Sequence, residues 1–235
     1  MIRIATTGLI GYETARRLLD EHSAELKERF SRKFVADFLK LSSENVYIDV
    51  ESLTDEAGIY TDSKLMSDIS AECGLTNDNF KVYITTISEG GLFAALWRAC
   101  ESLKKIMDSC KAAGQSPAGE VPGRENCSAK KVMNASSVGC EVDLNSICIR
   151  QEVIEISELY DENPYESPSN GAWVIVWDED MEEALPEHLQ HLLKAANTIG
   201  RITKKNDRIL IDGDSVRFLT PPARQAKDIK DRKRS

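Results

Sequence analysis

Ser88-Glu89-Gly90-Gly91 is the stretch of this 235-residue chain best suited to chemistry. A β-forming run, residues 81–87, ends there, and an apolar helix begins at once with Leu92-Phe93-Ala94-Ala95-Leu96-Trp97. Two glycines at a strand-to-helix junction let the backbone turn tightly. They leave bare amides at a helix N-terminus, where the dipole favours an anion. The plainer reading is that the glycines only fit a cramped turn. Glu89 can orient a ligand's ammonium or hydroxyl beside the Gly90 and Gly91 amides. It can equally act as an N-terminal helix acid, worth a few tenths to about 1 kcal/mol. Ser169-Asn170-Gly171, ahead of the apolar run 173–177, is the second candidate, and it reads as well as a simple turn before a strand.

Other chemistries find little support. His22, His188 and His191 make no triad. His188 and His191 sit three apart on one helical face without a carboxylate motif, which is the pattern of surface residues. No serine lies in a G-x-S-x-G elbow, and no cysteine is paired with a base. The six cysteines (Cys73, Cys100, Cys110, Cys127, Cys140, Cys148) show no C-x-x-C spacing and no histidine partner, so they read as buried or idle thiols and not as zinc ligands. No Walker-type or other glycine-rich phosphate loop occurs in these residues.

The elements that must position the candidates follow from periodicity. Residues 2–6 alternate as a strand, and 12–30 reads as a helix with Ala15, Leu18, Leu19, Leu26 and Phe30 on one side. Ser31 caps a second helix through Leu41, with Phe34, Val35, Phe38 and Leu39 inward. Residues 42–80 are the least legible; 46–50 has strand character and 64–73 helix character. After the strand 82–87, the positions Leu92, Leu96, Ala99, Leu103, Ile106, Met107 and Cys110 repeat at three and four, one face of a helix. Residues 111–134 are rich in glycine and proline. The strand 138–144 and the acidic helix 151–160 (Val153, Ile154, Ile156 and Leu159 inward) lead to Asn163-Pro164-Tyr165, a turn held by Asn163. The apolar strand 173–177 precedes a helix capped by Asp178 or Asp180 and restarted at Pro186. Strands 198–204 and 208–211, joined by Lys205-Asn206-Asp207, and a short strand 216–218 close the chain. Such a mixture ending in adjacent antiparallel strands argues α+β.

Composition bounds the function. With 41% hydrophobic and 29% charged residues the chain suits a soluble globule with a real core. Its apolar runs fall short of the ~20 residues a membrane helix needs. The N-terminus reads as a strand and not a signal peptide, so a cytoplasmic location is expected. Residues 223–235 carry six Lys or Arg and two acids; this tail of +4 on a chain of −9 leaves −13 for the remainder. That acidic body argues against nucleic acid, and the basic tail is expected to be disordered, with docking on an acidic partner as the alternative.

The junction also carries a resemblance. Ser88-Glu89-Gly90-Gly91-Leu92-Phe93-Ala94-Ala95-Leu96-Trp97 resembles the Asp-x-Thr-Glu-Gly-Gly-x-x-Gly-Ala-Leu-Trp signature of AIR synthase-related proteins, the relatives of the hydrogenase maturation factor within the PurM superfamily. Further segments follow in the family's order: Gly8-Leu9-Ile10-Gly11-Tyr12-Glu13-Thr14-Ala15, Glu25-Leu26-Lys27-Glu28-Arg29-Phe30-Ser31, Ile149-Arg150-Gln151-Glu152-Val153, Asn163-Pro164-Tyr165, Ser169-Asn170-Gly171, Ile199-Gly200-Arg201 and Arg217-Phe218-Leu219-Thr220-Pro221-Pro222. The resemblance implies a PurM C-terminal-like domain over 1–222, a mixed β-sheet with helices on its faces, with an insertion at about 100–134. It implies that Ser88, Glu89, Gly90, Gly91, Ser169, Asn170 and Gly171 line a ligand cleft.

It also marks departures. The family's N-terminal domain, which binds magnesium-ATP, has no counterpart in these residues. Thr86 stands where the family has an aspartate, and the tail lacks the maturation factor's C-terminal cysteine. The expectation is a non-catalytic binding or accessory module that binds no cofactor alone. The alternative is one subunit of a split ATP-dependent enzyme, with ATP and Mg present only when a partner supplies the other half. A protein partner across that face and a phosphorylated small molecule are the expected ligands; no nucleic acid and no membrane are expected.

Overall fold

The computed structural model describes residues 1–44, 59–62, 81–112 and 137–222. Its strands are β1 (Ile2–Thr7), β2 (Ile59–Thr61), β3 (Val82–Thr86), β4 (Gly139–Asp143), β5 (Trp173–Asp178), β6 (Asn197–Thr203), β7 (Arg208–Asp212) and β8 (Ser215–Phe218). Its α-helices are α1 (Tyr12–Glu21), α2 (Ser23–Arg29), α3 (Arg32–Lys40), α4 (Gly91–Ala112), α5 (Gln151–Leu159) and α6 (Glu187–Ala195).

An apolar strand without polar alternation must be covered on both faces, and β5 is: Val174, Ile175 and Val176 are all buried. β1 and β3 flank it, both antiparallel, and β2 lies parallel outside β3. Beyond β1 come β6, β4, β7 and β8, giving the order β2-β3-β5-β1-β6-β4-β7-β8. This is the mixed sheet with helices on its faces that the sequence implies.

Three apolar clusters hold it. Leu92, Leu96, Ala99, Leu103 and Ile106 of α4 pack on one face, against Ile4, Val142, Val176 and Leu210 among others. On the other face Leu189 and Leu193 of α6 cover β2, β3, β5 and β1 through Ile59, Val82, Ile84 and Ile175. The third cluster joins α1, α3 and α5 and meets the first at Ile149. Ser31 caps α3 as expected, its Oγ accepting from Phe34 N at 3.1 Å. Asp178 accepts from Asp180 N at 3.3 Å, and the helix restarts after Pro186.

Several expectations are corrected. The helix expected over 12–30 breaks at His22, which closes α1 and opens α2 without glycine or proline. A tertiary contact holds the break: the His22 ring stacks on Tyr160 with centroids 4.4 Å apart. Leu39, expected inward, is exposed, and Leu41 fills the core instead. β6 and β7 are not neighbours, because β4 lies between them; only β7 and β8 form an adjacent antiparallel pair at the end of the chain. Residues 204–207 arch over the start of β4, and Cys140 N donates to Asp207 O at 3.1 Å. Two strand spacings, about 9.6 Å, lie within reach of that arch. Gly139 permits it, since a Cβ there would overlap the carbonyls of Lys205 and Asp207.

α4 continues unbroken through Ala112. The rest of the glycine- and proline-rich stretch, the strand and helix expected at 46–50 and 64–73, and the tail 223–235 lie outside the described residues. Among the described residues no helix is long and apolar enough to cross a membrane.

Candidate functional site

β1 and β3 both run antiparallel to β5, so their C-terminal ends meet its beginning. Thr7 and Thr86 both face Trp173. Three connections therefore gather at one end of the sheet: 8–11 leading into α1, 87–91 leading into α4, and 163–172 leading into β5. Beyond the last ladder rung the backbone still interlocks. Ile87 N donates to Ala172 O at 3.0 Å, and Ser169 N to Ile87 O at 2.9 Å. The two candidate segments, 88–91 and 169–171, are thus brought side by side.

The junction itself is tight. Gly90 and Gly91 have φ of 81° and 65°, and Gly91 N donates to Ser88 O at 2.9 Å. Phe93 N donates to Tyr165 O at 3.3 Å. Of the Gly90 and Gly91 amides expected bare, that of Gly91 is paired within the chain, as is the Phe93 amide two residues on. Steric fit explains the glycine: a Cβ on Gly91 would overlap the Tyr165 carbonyl and stand 2.6 Å from Glu166 Cα. Arg98, about two turns into α4, ties the junction from outside. Its Nη2 donates to Thr86 O at 2.9 Å and to Ser88 Oγ at 3.3 Å. Ser88 and Glu89 themselves are exposed.

Ser169 is buried, and its hydroxyl is satisfied twice. It accepts from Gly11 N at 2.7 Å and donates to Ser167 O at 3.1 Å. Asn170 is exposed, and its amide donates to Glu13 Oε2 at 3.2 Å, joining the loop to the first turn of α1. Gly171 takes φ of 77°. Asn163 holds its turn as expected, its Oδ1 accepting from Tyr165 N at 3.1 Å. Ser169 is thus a brace inside the loop, while Ser88, Glu89 and Asn170 form the exposed rim.

Two polar clusters escaped the sequence reading. Asp62, just past β2, accepts from Tyr83 Oη and, at 2.6 Å, from Thr85 Oγ1; Tyr83 also contacts Ser102 Oγ at 3.2 Å. Burial first, and the Asp62 carboxylate second, push the Tyr83 phenol well above its ordinary range. The second cluster surrounds Arg208, which is only 8% exposed. Its guanidinium lies 3.7 Å from the Trp97 ring centroid and pairs through Nη2 with Glu101. Nε and Nη1 are buried without a hydrogen-bond partner among the described residues. Trp97 and Glu101 are one helical turn apart, but nothing local in the sequence announces an arginine 107 residues from Glu101.

The remaining candidates are dispersed. His188 and His191 lie on the exposed side of α6, and His191 Nε2 is 3.6 Å from Glu187. Cys100 and Cys140 are buried and Cys148 is exposed, all as free thiols.

No family model matches the chain, and no curated protein matches it. Solved structures do. The E. coli hydrogenase maturation protein HypE is 14% identical, with 94% of this chain and 50% of that chain covered at a TM-score of 0.50. HypE in a complex with HypF gives 14%, 94%, 53% and 0.45. Thiamine monophosphate kinase from Aquifex aeolicus gives 13%, 94%, 52% and 0.41. This chain therefore shares the fold of the matched part of E. coli HypE and spans about half the length of that structure.

Proposed function

We propose that this chain is a binding or accessory module and that its ligand meets the rim formed by Ser88, Glu89 and Asn170. One observation carries this reading: the amides of Gly91 and Phe93 and the hydroxyl of Ser169 are bonded internally. The junction is thus a frame that presents exposed side chains, with its Gly91 and Phe93 amides already engaged. Thr86 in place of a carboxylate supports the same reading, because charge- or metal-based catalysis there lacks its acid. A phosphorylated small molecule remains the ligand class of choice, with Arg98 the adjacent cation. The cofactor expectation goes with it: none bound alone, and ATP with Mg only when a partner completes the pocket. A cytoplasmic location fits such a module.

A screen of nucleotides and phosphorylated metabolites by thermal shift tests this. A ligand that binds only the native form stabilises it by about 2.7 kcal/mol at a hundred times its Kd. The expected outcome is a rise with a phosphorylated metabolite and none with ATP and magnesium. Magnesium-dependent ATP hydrolysis by the pure chain, abolished by Glu89→Gln, would overturn the proposal.

A second reading, one subunit of a split ATP-dependent enzyme, is favoured by a separate feature. Among the described residues, α6 packs on β1, β2, β3 and β5 and does not reach β7 and β8. There Ile209 and Ile211 stand opposite Phe218 and Val216, which are 68% and 60% exposed. Apolar residues grouped this way suit a protein partner. Affinity capture from native cells distinguishes the two: recovery of a separate polypeptide bearing a glycine-rich, aspartate-containing half favours the split enzyme, and its absence removes that reading.

A further inference from the structure

Beneath α4, away from the rim, two thiols meet a half-satisfied arginine. Cys100 comes from α4 and Cys140 from β4, at 1% and 0% exposure, and both belong to the apolar cluster between α4 and the sheet. Arg208 is the register partner of Cys140 on β7, so both side chains emerge on the same face. Its Nη2 is held by Glu101, while Nε and Nη1 remain without acceptors among the described residues. A buried donor without a partner is a standing penalty, which an anion formed nearby relieves. Interaction with Cys100 first, and the Arg208 charge, lower the Cys140 thiol below its ordinary value against burial; interaction with Cys140 and burial raise Cys100.

We propose that Cys100 and Cys140 are a reversible redox pair, oxidised by hydrogen peroxide to a disulfide that bridges α4 and β4. The Cys140 thiolate, facing the Arg208 guanidinium, attacks one peroxide oxygen. An S–O bond forms, the O–O bond breaks, and the departing hydroxide takes up a proton and leaves as water. The Cys100 sulfur then attacks the sulfenic sulfur of Cys140. The S–S bond forms, the S–O bond breaks, and the Cys100 proton departs in a second water. Two electrons pass from the sulfurs to the peroxide. The bridge brings the two sulfurs to a bond length of about 2.05 Å within the one apolar cluster that holds both residues. Burial makes the reaction wait for local opening, through which a small neutral oxidant passes.

The experiment is peptide mapping of the full reduced chain after hydrogen peroxide, with free thiols alkylated and no reductant present during digestion. The expected result is a cross-linked peptide pair holding Cys100 and Cys140, and two fewer alkylated thiols. Closing a loop of this size should raise Tm on the order of 10 °C, reversed by dithiothreitol. Cys148→Ser should leave the cross-link unchanged, and Arg208→Met should slow its formation several-fold. A bridge to any other cysteine would overturn the proposal. So would sulfinic acid at either site without a bridge, or full alkylation of both thiols once the exposed Cys148 has been consumed. The mapping uses the unaltered chain, so an unfolded variant leaves the answer intact.

Discussion

Helix α4 meets the rest of the molecule in two places about 13 Å apart along its axis, and they are built on opposite terms. At its first turn the Gly91 and Phe93 amides, the Gly11 amide and the Ser169 hydroxyl all have partners. Around Cys100, two donors of Arg208 have none among the described residues. Satisfied polar groups over-determine a shape; unsatisfied ones leave an interaction still to be made. The comparison separates frame from chemistry within a single helix.

Substitutions can break this contrast. Gly91→Ala places a Cβ at positive φ against the Tyr165–Glu166 backbone and should destabilise by about 3 kcal/mol or more. Urea denaturation measures it, and a midpoint near that of the parent would show the first region is not rigid. Ser169→Ala strands the Gly11 amide and the Ser167 carbonyl and should lose about 1–3 kcal/mol in the same assay. Tyr83→Phe sharpens the picture from a third position. Its phenol titrates above its ordinary value of 10.0 in the folded chain, so the unfolded chain releases that proton first. The stabilisation is fully present below pH 10.0 and is lost as pH rises toward the folded value. Tyr83→Phe should cost about 1 kcal/mol at neutral pH and flatten the alkaline decline; an equally steep decline would place that sensitivity in another group. The smallest effect belongs to Arg208→Met, within about 1 kcal/mol. It removes two buried donors that lack partners among the described residues. Glu101, 40% exposed, is left to water, and the Met side chain can still pack on Trp97. If Arg208→Met proved more damaging than Ser169→Ala, the contrast would collapse.

What the sequence discloses is what local pattern controls. The strand of apolar residues at 173–177, the three-and-four spacing along α4 and the Ser31 cap are each decided within a few residues, and each appears where periodicity puts it. The break at His22 depends on a ring from residue 160, and β2 spans only three residues. The placement of β4 between β6 and β7 depends on a close approach at Gly139. At the candidate site the tight turn was legible from paired glycines. The fate of its amides was not, because the Tyr165 carbonyl that takes one arrives from 72 positions away in the sequence. Arg208 looks like any strand-opening surface cation until Trp97 and Glu101 are folded over it.

The arch of residues 204–207 has a kinetic corollary. Consecutive strands normally zip together from their shared turn within microseconds, but β6 and β7 are barred from doing so by the strand they straddle. Residue 140 must first travel in from far along the chain, and such distant encounters slow assembly. Gly139 gives that arrangement its clearance: a single added methyl group there would meet the carbonyls of Lys205 and Asp207 and bar the arch from closing over β4.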